Sequence, residues 1–376
     1  MKTNIYILCA TLAFTAVSCK KEGCTDPSAS NYNKKSKKDD GSCQYATPYT
    51  IPSTYTFVNA QGNSTVDYSG QTDRLNQLRE MITYAETGLT TTLDAQVLKD
   101  MFNNANGNAN GAFSFTSSRQ LQNKCFNLDT ALIISYFDAL ATASANFSQT
   151  ASNGQAGTLS SGTSTYLFAA NGFEYTEMIE KAVMGAVFKY QALNIYFGST
   201  NMSADNTTLV AGENYTNLEH YWDEAFGYFG VPSDFPTTAA TDFWGKYCNS
   251  QNANLGSNAL MMNNFLKGRA AIANHYESDK DLAIQTIRET WEAIAAYQAM
   301  RYLDLAVQNF GTDQAKTLHV LSEAYGFIYA LRFAPLETRN LTTSQVDDLL
   351  ASFGSNLWNL TLNDIQNIKA TLDATY

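Results

Sequence analysis

Apolar residues recur at helical spacing through most of the chain. Leu75, Leu78 and Ile82 form an i, i+3, i+4 stripe, which places all three side chains on one face of a helix. Proline breaks helices, and the stretches 53–231 and 237–334 contain none. The pattern predicts an all-α chain.

The same periodicity places further helices along the chain, and polar or β-prone runs interrupt them. Helices are predicted at about 118–145, 173–197, 215–230, 257–276, 279–308, 314–333 and 345–372. The polar stretches 148–164 and 198–212 predict loops. Two β-prone runs, Tyr55–Val58 and Ser64–Tyr68, predict a short N-terminal β-hairpin.

The first residues have the pattern of a targeting signal. An apolar run from Ile5 to Val17 follows a basic start and is too short to span a bilayer as a mature helix. It ends in Ala-Val-Ser-Cys19, which resembles a bacterial lipobox. We therefore predict a signal peptide at 1–18, lipidation of Cys19, and a lipid-anchored protein of the outer membrane that faces the periplasm or the medium.

Cys24 and Cys43 bracket a distinct segment. Its ends, GCTDPSASNY and DDGSC, resemble a short module found near the ends of secreted Bacteroidetes proteins, and the resemblance implies a disulfide that staples a segment too small for its own core. Cys125 and Cys248 either pair or stay as buried free thiols. The module also contains carboxylates that suit calcium, although a solvated acidic turn is the favoured interpretation: Asp26, Asp39 and Asp40.

Charge and composition exclude several classes of function. The chain has 24 Lys and Arg against 35 Asp and Glu, a net charge of −11. Such an acidic protein is a poor candidate for nucleic-acid binding, so no nucleic-acid partner is predicted. Neither GxGxxG nor GxxxxGK[ST] occurs, and there are only three histidines.

The chain contains an internal repeat. Tyr190 begins Tyr-Gln-Ala-Leu and Tyr297 begins Tyr-Gln-Ala-Met, and each is followed by a segment of the form HxxxEA[FY]G[YF] that begins at His220 or His319. Two equivalent halves indicate a duplication. We therefore predict four segments after the signal peptide. A lipidated, disulfide-stapled segment spans 19–45, and a linker with the hairpin spans 46–70. Two helical bundles follow at 71–236 and 237–376.

The HxxxE spacing has a chemical meaning. Residues i and i+4 lie on one face of a helix, so an imidazole and a carboxylate can bond each other or share a cation. Two pairs brought together would suit zinc or iron: His220 with Glu224, and His319 with Glu323. A structural ion pair in each half is the favoured alternative. In both cases we expect inward-facing side chains, with Tyr190 and Tyr297 as supporting partners.

Three motifs resemble the bacterial family called domain of unknown function 4856, over roughly residues 53–375. They are the HYWDEAFGYFG segment, TVDYSGQTDRL from Thr65, and KGRAAI from Lys267. That family is similar in plan to the imelysin-like proteins, two-bundle envelope proteins associated with iron uptake. The chain departs from the imelysin signature GxHxxE, because Asp223 and Ser322 stand three residues after the histidines and the glutamates stand four residues after them.

The resemblance implies a non-catalytic binding protein linked to iron or haem uptake, beside a TonB-type outer-membrane receptor. Two alternatives remain: a surface lipoprotein that captures glycans or other nutrients, and a metallopeptidase, which would need an activated water on an open metal site. The cofactor is unknown, with iron or zinc as the candidates.

Overall fold

The computed structural model describes residues 21–27, 29–44 and 49–376. The predicted signal peptide 1–18 and Cys19, the predicted site of lipidation, lie outside the described residues. The chain separates into two compact units, one up to Thr50 and the other from Ile51 to Tyr376.

The first unit is closed by the disulfide between Cys24 and Cys43, which confirms the predicted staple. A parallel bridge joins Glu22 to Lys38, and the ammonium of Lys38 lies 2.6 Å from the Glu22 carboxylate. Because so little apolar surface is buried here, covalent closure is the main constraint on this segment.

The second unit is mostly helical, which confirms the predicted all-α class. The α-helices of the described residues are α1 Ser69–Glu86, α2 Ala95–Asn103, α3 Thr130–Ser144, α4 Tyr175–Val183, α5 Ser199–Met202, α6 Asn217–Phe229, α7 Phe243–Ser250, α8 Asn252–Leu255, α9 Ser257–Ala273, α10 Glu277–Asn309, α11 Gln314–Leu331, α12 Thr343–Ala351 and α13 Leu362–Asp373. Two π-helical segments continue α4, at Met184–Lys189 and Gln191–Tyr196. Short 3₁₀ turns lie at Thr87–Leu89, Ala105–Gly107, Ala109–Gly111, Gln122–Lys124, Asn127–Asp129 and Leu357–Asn359.

Two predicted helices differ from the observed ones. The helix predicted from residue 118 begins only at Thr130, because side chains of other segments bind the backbone carbonyls before it; Gln77, for example, donates to Arg119 O at 2.7 Å. The helix predicted over 345–372 is divided into α12 and α13. Gly354 lies in the break with a φ of +65°, a backbone conformation that favours glycine.

The predicted loop at 148–164 contains part of the only sheet among the described residues. Strand β1, Gly157–Ser161, pairs antiparallel with β2, Ser164–Phe168, around a two-residue turn in which Gly162 has a φ of +56°. The hairpin predicted for 55–68 exists as one antiparallel bridge between Val58 and Ser64.

Helices from both predicted bundles share one continuous set of buried side chains. Helix α4 packs on α11, its last π segment packs on α6, and α9, α10 and α11 pack in succession. The boundary between two bundles near residue 236 stays a prediction. None of the helices in the described ranges combines the length and the apolarity that crossing a membrane requires.

Candidate metal centre

Both HxxxE pairs lie on helices and are largely buried. The His220 and Glu224 side chains on α6 are 25% and 18% exposed. His319 and Glu323 on α11 are 13% and 7% exposed. No set of ligand atoms within 4.8 Å of one another joins the two pairs in the part of the chain that the structure describes. The two HxxxE pairs therefore do not form the single four-ligand cation site that the sequence analysis considered.

The second pair belongs to a cluster that includes residues before and within α4. Nδ1 of His319 lies 2.7 Å from Oε2 of Glu174, and the backbone N–H of Glu174 donates to Ser322 Oγ at 2.9 Å. The imidazole stacks on the ring of Tyr166 from β2, with centroids 4.3 Å apart. Helix α11 and the hairpin thus fix the position of the histidine ring from two sides.

Lys181 is the buried cation of this cluster. Its Nζ lies 2.7 Å from Glu177, 2.8 Å from Glu180 and 3.0 Å from Oε2 of Glu323. The hydroxyl of Tyr302 donates to Oε1 of Glu323 at 3.1 Å. One ammonium therefore holds three carboxylates, and His319 pairs with a fourth, so the cluster has an excess of negative charge when all four are ionised.

The close approach of α4 and α11 depends on Gly326. A Cβ at this position would lie 2.7 Å from Cγ of Lys181 and closer still to its Cβ. The glycine of the EA[FY]G motif thus brings the His319 helix onto the face of α4 that carries Glu177 and Lys181. In the first half, a Cβ on Gly227 would meet the Cβ of Tyr68 at 2.6 Å. The motif glycine has the same packing role in both halves.

The pKa values show how crowded the carboxylates are. Burial and the neighbouring Glu177 raise the pKa of Glu323 to about 7. Burial would raise the pKa of Glu177 as well, but Lys181 and His319 outweigh it and lower that pKa to about 2. Burial raises the pKa of Glu174, only partly offset by His319. The pKa of His319 is raised, because its bond to Glu174 outweighs burial.

Three residues of the cluster have the arrangement of metal ligands. Glu174, Glu177 and His319 each offer one ligand atom, and these atoms lie within 4.8 Å of one another. Beside them is a cavity of about 330 Å³, lined by residues that include Glu86 and Tyr166. Burial, Glu177 and Glu180 raise the pKa of Glu86. Imidazole and carboxylate ligands suit zinc and iron.

The first pair has different neighbours. Nδ1 of His220 donates to the backbone carbonyl of Asp67 at 3.1 Å, its ring stacks on Tyr215 with centroids 4.7 Å apart, and Nε2 lies 3.9 Å from Glu224. Glu224 accepts from the amide of Gln71 at 3.0 Å. This half places a backbone carbonyl where the second half places the Glu174 carboxylate.

A buried ion pair network lies next to the first pair. Arg269, fully buried, donates to Asp223 at 2.9 Å and to Glu219 at 2.7 Å, and also to the backbone carbonyl of Thr65 at 2.9 Å. Tyr55 donates to the same Asp223 carboxylate at 2.7 Å. Burial raises the pKa of Asp223 to about 6, although Arg269 and Tyr55 oppose this. The carboxylates here are matched by a guanidinium and a hydroxyl.

These contacts explain the motifs that define the family resemblance. The TVDYSGQTDRL segment supplies Thr65 and Gln71, the HYWDEAFGYFG helix supplies Asp223 and Glu224, and KGRAAI supplies Arg269. Three segments far apart in sequence thus meet at one place in the first half. Their common role is to hold α1, α6 and α9 together.

The two tyrosines predicted to support the HxxxE pairs do not contact them, and the cluster around His319 contains residues that the sequence did not predict. Tyr190 contacts the rings of Phe126 and Phe333 and none of the four HxxxE side chains. No bond joins Tyr297 to an HxxxE side chain in the described part of the chain; Tyr302, five residues later, bonds Glu323 instead.

The sequence reasoning also missed Glu174, Glu177 and Lys181. A detectable signal was an acidic residue followed by tyrosine at the N-terminal end of both α1 and α4, in Asp67-Tyr68 and Glu174-Tyr175.

The residues of the N-terminal module serve local structure. Asp39 accepts from the backbone N–H of Gly41 at 3.1 Å, and Asp40 accepts from that of Ser42 at 3.0 Å. The backbone carbonyl of Asp26 accepts a hydrogen bond from the N–H of Ala29 at 3.0 Å. Calcium binding by these aspartates stays a prediction. In the second unit, Cys125 and Cys248 are buried free thiols, and burial raises the pKa of each to about 12.

Comparisons with known proteins place the second unit in a family without adding a function. No curated protein and no solved structure matches the chain. A family model described as "Domain of unknown function (DUF4856)" matches residues 52–376. The match covers nearly all of the helical unit and stops short of the disulfide-stapled module. The chain therefore belongs to the DUF4856 family.

Proposed function

We propose that this protein is a cell-envelope lipoprotein that binds a divalent transition metal ion, in the class of iron or zinc, at Glu174, Glu177 and His319. The observation behind the proposal is the convergence of three ligand atoms within 4.8 Å beside a cavity. The uptake of iron, beside a TonB-type receptor, is the role that suits such a binding protein.

The charge balance of the cluster supports binding. Four carboxylates surround one lysine and one histidine, so the site attracts a cation when Glu323, with its pKa of about 7, loses its proton. A bound metal ion would need one lone pair from His319 and ionised Glu174 and Glu177. Lys181 holds the carboxylates in place before binding. It is not a ligand, because a protonated ammonium has no lone pair to offer. Burial would lower the pKa of Lys181, but Glu177 and its other acidic neighbours outweigh burial and keep that pKa well above its usual value.

Zinc titration by calorimetry on the metal-free protein tests the proposal, with matched variants from the two halves. His319→Ala removes a ligand and should weaken zinc binding by more than the ~10–100-fold that changes in outer-shell partners produce. His220→Ala changes the equivalent histidine of the first half and should leave the affinity unchanged. Equal loss in both variants, or no zinc binding by the unsubstituted protein, would contradict the proposal.

Two further measurements separate the proposed role from its alternatives. Elemental analysis of the protein purified from its native membrane should find iron or zinc, and peptide cleavage that a chelator abolishes would replace the binding role with a peptidase role. Cys19→Ser should release the protein from the membrane fraction, because a diacyl chain is the proposed anchor. Unchanged fractionation of that variant would contradict the anchor.

A further inference from the structure

Three cationic side chains meet near the start of α1. Arg119 packs over Gly70, where an added Cβ would lie 2.9 Å from its Nε, and Arg74 donates to the Gly70 carbonyl at 3.1 Å. Lys124 follows Arg119 on the same segment and lies within electrostatic reach of both guanidinium groups. In a chain with a net charge of −11, such a local concentration of positive charge needs a reason.

None of the three cations forms an ion pair with a carboxylate in the described ranges. Arg74 is only 3% exposed, and its bonds go to backbone carbonyls, those of Gln120 at 2.9 Å and of Gly70. The ammonium of Lys124 donates to the hydroxyl of Tyr196 at 3.1 Å. A buried guanidinium without an anionic partner is unfavourable unless an anion joins it.

Further polar groups face this cluster. The hydroxyl of Tyr228 is fully buried and makes no hydrogen bond with suitable geometry, and Arg74 lies close enough to affect its titration. Glu224 contributes one negative charge and is held by Gln71 at 3.0 Å. Asp73, which precedes Arg74 on α1, accepts from the Ser117 hydroxyl at 2.6 Å. Lys124 thus lies within electrostatic reach of Glu224 and of both guanidinium groups, and the Tyr228 hydroxyl remains an unused donor.

We propose that Arg74, Arg119 and Lys124, with the hydroxyl of Tyr228, bind an oxyanion group of a small molecule, a carboxylate or a phosphate. Guanidinium groups match the planar pair of oxygens of either group. Arg119 is exposed and Lys124 is half-buried, so the anion reaches the cluster from solvent, while the buried Arg74 forms its inner wall. This site lies in the first half and is independent of the metal centre proposed at His319.

Calorimetric titration of the full chain with inorganic phosphate and, separately, with citrate tests this proposal. Arg119→Gln and Lys124→Gln keep the buried Arg74, and each should weaken binding about tenfold, because each removes a charge-assisted hydrogen bond. Arg79→Gln is the matched control: it removes an exposed arginine of α1 that pairs with Asp242, and binding should not change.

The outcomes of this titration are distinct. Binding of phosphate alone assigns the site to phosphate esters, and binding of citrate alone assigns it to carboxylic acids; both support the proposal if the Arg119 and Lys124 variants weaken them. Failure of both anions to bind, or equal affinity in the unsubstituted chain and in a variant that combines Arg119→Gln with Lys124→Gln, overturns it. Because neither titration contains a metal ion, this result is separate from the zinc experiment.

Discussion

The two HxxxE motifs share their geometry and differ in the charge around them. Each histidine stacks on a tyrosine. Each glutamate is followed three residues later by a glycine at a close helix crossing. In each half, the residue three places after the histidine accepts a backbone N–H from the segment before a helix. In the second half, Glu323 lies among other carboxylates. In the first half, Glu224 accepts from the neutral amide of Gln71, and Lys124 lies within electrostatic reach of it.

The difference originates in the partner helices. Helix α1 brings Gln71 and Arg74 to the first motif, whereas α4 brings Glu177, Glu180 and Lys181 to the second. A duplicated motif thus fixes where a His–Glu pair lies, and the helix packed against it decides which polar and charged side chains surround that pair. The following predictions test that distinction.

The largest expected effect follows from removing the buried cation of each half. Arg269→Met and Lys181→Met should each lower the free energy of unfolding by about 3–5 kcal/mol, because each leaves buried carboxylates without their partner. Zinc should then separate the two variants in thermal unfolding. The zinc-induced rise in melting temperature should be larger for Lys181→Met than for the unsubstituted protein, since the cluster gains negative charge.

The Arg269→Met variant provides the comparison for that experiment. It retains the second-half cluster, so its zinc-induced rise should equal that of the unsubstituted protein. The same rise in all three proteins would show that Lys181 and the zinc ion do not share their carboxylates, and it would contradict the account of the second half.

The two motif glycines should show an effect of intermediate size. Gly326→Ala and Gly227→Ala should each destabilise the fold by about 1–3 kcal/mol in denaturant unfolding, because the added methyl group meets atoms next to the facing backbone. Gly185→Ala is a milder comparison, since the nearest atom to its methyl group would be the Cα of Ala330 at 3.1 Å. Equal or higher stability of the motif variants would contradict the close crossings.

A smaller effect concerns pH. The pKa of Glu323 is raised from 4.5 to about 7, so the folded state binds more protons than the unfolded state in that window, and stability should fall as pH rises through it. The raised pKa of His319 adds stability below pH 6.5 that is lost as pH rises further. Glu323→Gln should therefore flatten the decline between about pH 4.5 and 7.

The first half provides the contrast for the pH measurement. The pKa of Asp223 is raised from 3.8 to about 6. Its contribution to the free energy of unfolding therefore declines between those two pH values, a lower range than that of Glu323. Urea unfolding at intervals of half a pH unit would separate the two windows. An unchanged slope between pH 6 and 7 in the Glu323→Gln variant would show that Glu323 does not titrate there.

The sequence indicated the helices and the repeated motif but not the ligand set. Helical periodicity and the absence of proline located α6 and α11 within two residues at each end, because these helices bury one consistent face. The role of Glu174 depends on contacts with a helix 145 residues away, which local patterns do not encode. The β1–β2 hairpin was missed because its polar composition is also that of a loop, although it places Tyr166 on His319.

The central claim is that the second HxxxE motif, and not the first, lies at a metal site. Anomalous diffraction at the zinc edge, from crystals grown with one equivalent of zinc, tests it most directly. The account predicts one strong peak at about 2.0–2.2 Å from ligand atoms of His319 and of Glu174 or Glu177, with no peak at His220. A peak at His220 and Glu224, or crystals with no zinc at either motif, would contradict it.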